Sequence, residues 1–114
     1  MIGTSDSKKL AAFYEKVFDR KADMVEGDGQ FYGWSVGSTF ISVGSHSEVK
    51  GKNKDAARMM FNLETKEVKK EFERIKKVGA EVVKEPYEMG GAWIATFADP
   101  DGNYFQLMTP WESK

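Results

Sequence analysis

AWIATFADPDGNYFQLMTP, residues 92–110, reads as two strands folded back on each other around Asp99-Pro100-Asp101-Gly102. Pro100 presets φ for the second position of a tight turn, Asp99 can bond its own backbone, and Gly102 tolerates the positive φ that closes it. On the far limb Tyr104, Gln106 and Met108 point to one face and Phe105, Leu107 and Thr109 to the other, because strand side chains alternate. Both faces bury something, and Gln106 is the polar exception in an otherwise apolar strand.

Upstream of this hairpin, Arg58 to Leu63 reads as a strand, and Thr65 is placed to cap a helix whose inward stripe is Val68, Phe72 and Ile75. Gly79 ends that helix, Ala80 to Lys84 is the next strand, and Glu85 to Gly91 is a connection. The first half follows the same order. Met1 to Ser5 is a candidate strand, and Asp6 or Ser7 caps a helix whose stripe is Leu10, Phe13, Tyr14, Val17 and Phe18. Ala22 to Glu26 is strand-like, Gly27-Asp28-Gly29 is a turn, and Gln30 to Val36 pairs with Thr39 to Val43 across Gly37-Ser38. Between the halves, Gly44 to Asp55 is polar and lysine-rich, as a solvated linker is.

The parallel order predicts an internal repeat. At an offset of 58, Ser7 falls on Thr65, Leu10 on Val68, Tyr14 on Phe72, Val17 on Ile75 and Val25 on Val83. At an offset of 64, Phe40 falls on Tyr104, Ile41 on Phe105, Ser42 on Gln106 and Val43 on Leu107. Caps, core positions and hairpins match in one order. The fold class expected is therefore α+β, with two tandem βαβββ modules forming a curved eight-stranded mixed sheet and helices on its outer face. Its concave side is where a small ligand would sit. A single domain, 1–114, divides into module one at 1–45, a linker at 46–56 and module two at 57–114.

Seventeen basic against 18 acidic residues give a net charge of −1, too weak a field to gather nucleic acid or an anionic membrane. The absence of cysteine excludes disulfides and thiol catalysis and fits a reducing, cytoplasmic setting. No apolar run reaches the roughly 18 residues of a membrane span, and none has signal-peptide character. No nucleophile with an adjacent base and no glycine-rich phosphate loop is present.

SDSKKLAAFYEKVF at 5–18 and ATFADPDGNYFQLMTP at 95–110 resemble the vicinal oxygen chelate superfamily, which includes glyoxalase I, bleomycin and fosfomycin resistance proteins and extradiol dioxygenases. The resemblance covers the whole chain and speaks for the fold more than for any activity. It implies a cup-shaped site in each module and a homodimer. Where the first helix of the family ends in glycine, this chain has Asp19-Arg20. In the family's enzymes a divalent metal is held from four slots, one near the start of the first strand and one in the last strand of each module. The last-strand slots resemble Ser42 and Gln106, the first-strand slot of module two resembles Arg58, and its partner would lie one position before Met1. Serine, arginine and an amide do not supply the imidazole and carboxylate donors that such an ion takes, so no metal and no other cofactor is expected.

Symmetric pairing across the DPDG turn would put Trp93 and Phe97 on the concave side with Tyr104, Gln106 and Met108, whereas a one-residue bulge would turn them outward. On the other hairpin Phe31, Phe40 and Ser42 face inward and Trp34, Ile41 and Val43 lie under the helices. Arg58, Met60 and Asn62 share a side of their strand. The expected ligand-binding set is thus Phe40, Ser42, Arg58, Met60, Asn62, Trp93, Phe97, Tyr104, Gln106 and Met108, with an anionic group on the ligand facing Arg58. His46, the only histidine, is expected to be a solvated loop residue, and the lysines of the second helix a solvent face. The expected function is a metal-free small-molecule-binding protein of the glyoxalase and bleomycin-resistance type. The alternative is a metal-dependent lyase, isomerase or dioxygenase with an atypical ligand set.

Overall fold

The computed structural model describes residues 1–110, and the chain divides into two units, Met1–Lys52 and Asn53 onward. Unit one runs β1 (Ile2–Thr4), α1 (Ser7–Phe18), β2 (Met24–Glu26), β3 (Phe31–Val36) and β4 (Thr39–Ser45). Helix α1 begins where the Asp6 carboxylate accepts a hydrogen bond from the Lys9 amide at 3.1 Å, so the expected cap is formed. It ends at Asp19, which takes φ 56° while its amide donates to the Glu15 carbonyl. A short polar side chain tolerates this left-handed conformation better than most, which lets aspartate stand where glycine is usual.

The four strands lie in the order β1-β4-β3-β2, with β1 parallel to β4 and the rest antiparallel. The two-residue turn at Gly37-Ser38 pairs Val36 with Thr39, so Trp34 opposes Ile41 and Tyr32 opposes Val43 on the helix-covered face. Leu10, Tyr14, Trp34 and Val43 are fully buried, and Phe18 meets Trp34 edge-on at 5.4 Å between ring centroids. Burial of each such side chain is worth about 1.5–3 kcal/mol, which makes this face the core of the unit.

Unit two repeats the order: β5 (Phe61–Glu64), α2 (Val68–Lys77), β6 (Glu81–Met89), β7 (Ala92–Ala98) and β8 (Tyr104–Met108), arranged β5-β8-β7-β6. The parallel pair is β5 with β8. Val68, Phe72 and Ile75 form the buried stripe of α2, as the spacing predicts. Phe72 stacks on Phe97 at 5.1 Å, Phe97 on Phe105 at 5.6 Å, and Phe105 on Phe61 at 5.8 Å. The two tandem βαβββ modules are therefore present, each as its own four-stranded mixed sheet with one helix.

Three local expectations are corrected. Thr65 does not cap α2; its hydroxyl accepts from the Glu67 amide in a turn before the helix, whose N-cap Glu67 makes no side-chain cap. The strand expected from Arg58 begins only at Phe61, because Arg58 sits in a turn whose amide bonds the Asp55 carbonyl at 3.0 Å. Strand β6 continues through the expected connection to Met89, with register irregularities between Val82 and Lys84 and between Lys84 and Tyr87 that accommodate Pro86.

The fourth correction concerns the face that each β7 residue takes. The DPDG turn forms as read: the Gly102 amide donates to the Asp99 carbonyl at 2.9 Å, and the Asp99 side chain accepts from the Asp101 and Asn103 amides. Gly102, however, at φ 80°, is an extra residue in the loop, and the pairing closes between Asp99 and Asn103. This is a type I turn followed by a glycine bulge, and it moves the register by one. Phe97 therefore opposes Phe105, not Tyr104, and Thr96 opposes Gln106.

Candidate functional site

In each unit one sheet face carries the helix and the other does not. On the helix-free face of unit one, Phe31, Gly33 and Ser35 of β3 lie opposite Gly44, Ser42 and Phe40 of β4. The Phe40 ring lies across Gly33, where a Cβ would stand 2.2 Å from its Cζ, and Phe31 lies across Gly44, where a Cβ would meet its Cδ1 at 2.7 Å. Two missing side chains thus make room for two rings lying flat on the sheet. Both rings keep considerable exposure, 53% for Phe40 and 41% for Phe31. Phe40 and Ser42 share this face, as the even hairpin register requires.

The helix-free face of unit two is ordered in rows across the strands. Asn62 of β5 opposes Gln106 of β8, Gln106 opposes Thr96 of β7, and Thr96 opposes Lys84 of β6. On one side of this polar row stand Met108, Ile94 and Tyr87, and on the other Tyr104 and Ala98. The Gln106 side-chain amide donates to the Thr96 hydroxyl at 3.2 Å, and the Asn62 amide donates weakly to the Met108 sulfur at 3.7 Å. The Lys84 ammonium lies over the Tyr87 ring, 5.6 Å from its centroid.

Asn62, Tyr104, Gln106 and Met108 are thus brought together on one face. Trp93 and Phe97 are not: the bulge at Gly102 turns both to the helix-covered side. There Phe97 is fully buried between Phe72 and Phe105, and Trp93 carries the Lys69 ammonium at 3.8 Å from its ring centroid. Arg58 and Met60 precede β5 and share no strand face with Gln106. Arg58 pairs with Asp55 at 2.9 Å and is 77% exposed, so its charge already has a partner in the same turn. The signal for Thr96, Lys84 and Tyr87 was present in the sequence as Gly102, a residue able to supply the turn, the bulge, or both.

The donor chemistry of these faces does not fit a divalent metal. Ser42 and Gln106 occupy the last-strand positions, and the residue opposite Gln106 on the neighbouring parallel strand is Asn62. No group of three or more His, Cys, Asp or Glu side chains is placed to hold an ion among the described residues. His46 lies in the loop after β4, where its Nδ1 accepts from the Glu48 amide at 3.1 Å. A carboxamide supplies at most one neutral oxygen, too weak a donor to replace the imidazoles and carboxylates of a catalytic site. No helix among the described residues is long and apolar enough to cross a membrane.

A family profile described as a glyoxalase-like domain matches residues 1–108. Among solved structures, a glyoxalase/bleomycin resistance protein/dioxygenase family enzyme from Burkholderia phytofirmans is 27% identical, with 95% of this chain and 93% of that chain covered and a TM-score of 0.70. A glyoxalase/bleomycin resistance protein from Catenulispora acidiphila is 15% identical, with coverage of 96% and 94% and a TM-score of 0.75. TioX from Micromonospora sp. ML1 is 14% identical, with coverage of 95% and 93% and a TM-score of 0.73. No curated protein matches the chain.

Proposed function

Since the chain belongs to the glyoxalase-like domain family of the vicinal oxygen chelate superfamily, we propose that it is a binding protein that holds a flat, largely apolar small molecule without a metal ion. The observation that carries this reading is the chemistry at the last-strand positions. Ser42 and Gln106 stand where a metal-dependent relative needs strong donors, and Gln106 is engaged with a hydroxyl. Around them lie surfaces suited to ring contact: Phe31 and Phe40 in one unit, Tyr104 and Met108 in the other. Aromatic faces and methionine sulfur give area and polarizability at low entropic cost.

The test combines elemental analysis with ligand screening. Dialysed protein should hold no stoichiometric zinc, nickel, manganese or iron, and a chelator should leave its melting temperature unchanged. Aromatic bicyclic compounds should raise that temperature, because a ligand that binds only the native state stabilises it by mass action. About one divalent ion per chain, lost together with the Gln106 side chain, would reject the proposal in favour of a metal-dependent enzyme.

A further inference from the structure

The row Asn62, Gln106, Thr96, Lys84 allows the ligand class to be narrowed, and the argument rests on the binding function proposed above. Adjacent strands lie about 4.8 Å apart, so Asn62 and Gln106 present two primary amides side by side at that spacing. They are not equivalent. Gln106 directs its NH2 to the Thr96 hydroxyl, a group only 5% exposed, which fixes the amide plane and turns the carbonyl oxygen away as an acceptor. Asn62 is exposed and spends its NH2 on a thioether, a poor acceptor, so a better one can recruit that donor. The pair therefore offers one acceptor held in place and one donor free to be re-aimed.

Charge on this face argues against an ionic ligand. Glu64 opposes Met108 at the β5 edge and Glu81 opposes Ala98 at the β6 edge, so carboxylates flank the row on both outer strands. The one cation in the row, Lys84 at its β6 end, lies over the Tyr87 ring, and Arg58 stands outside the strand, paired with Asp55. We infer that unit two recognises an uncharged planar molecule bearing a carboxamide or lactam. Its N–H goes to the Gln106 oxygen, its C=O takes the Asn62 amide, and its rings lie over the flanking Met108 and Tyr104. Thr96 is a positioning residue that acts through Gln106.

Four probes on one bicyclic frame test this by titration calorimetry: 2-quinolinone, quinoline, quinoline-2-carboxylate and N-methylquinolinium. Two neutral hydrogen bonds predict that 2-quinolinone binds about tenfold or more tighter than quinoline, with neither ion exceeding it. Thr96→Val should bring 2-quinolinone down to the quinoline level while leaving quinoline unchanged, a selectivity that a merely structural role would not move. Asn62→Ala, at an exposed position that does not threaten folding, should also narrow the ratio. Equal binding of quinolinone and quinoline, or preference for either ion, overturns the ligand class alone. Binding of no probe overturns both this inference and the proposed function.

Discussion

At the scale of the residue, Asp99 organises the terminal hairpin. It is 5% exposed, and its carboxylate accepts from the amides of Asp101 and Asn103 and from the Asn103 side chain, all at 2.9–3.0 Å. Asp99→Ala should lower stability by about 1–2 kcal/mol, read from the urea midpoint, because it leaves three half-buried donors of the turn without their acceptor. Asn53 reinforces the same loop, donating from its amide to the Asp101 carbonyl at 2.7 Å and from its side chain to Asn103 at 3.0 Å. Gly79 is a contrasting case. It stands at φ 99° with open space where a Cβ would lie, so Gly79→Ala should cost about 1–2 kcal/mol from backbone strain alone. A cost near zero would mean the helix end relaxes into another conformation.

At the scale of the element, the β7-β8 hairpin is governed by one residue of loop length. The bulge at Gly102 makes Phe97 a core ring, so Phe97→Ala should destabilise by about 3–5 kcal/mol, measured by chemical denaturation. Met108→Ala, on the helix-free face, should cost less and should instead reduce the affinity of aromatic probes. The reverse ranking would restore the symmetric pairing. Strand β6 is an outer strand of its sheet and nine residues long, yet Pro86, its irregular register and its charges make it a poor template for a further strand. Helix α2 buries Val68, Phe72 and Ile75, while Lys69 lies over the Trp93 ring, Lys76 over the Phe72 ring, and Lys70 pairs with Glu67.

At the scale of the whole molecule, duplication explains why the same positions matter twice. Tyr14 and Phe72 occupy equivalent places in α1 and α2 and are both essentially buried, so replacement of either by alanine should cost about 3–5 kcal/mol in thermal or urea unfolding. The amino-acid sequence by itself determined the repeat, both helices, the buried stripe of α2 and the Leu10, Tyr14 and Val17 part of that of α1, the DPDG turn, and the neutral residues at the last-strand positions. Each of these rests on local periodicity, turn chemistry or residue type. What only the tertiary structure decided was which side chains share a face: that Thr96, not Phe97, stands beside Gln106, and that Arg58 lies outside the strand and against Asp55. The physical reason is that a strand's two faces differ by a single residue. One glycine in a loop can exchange them without changing the hydrophobic pattern from which the strand is read.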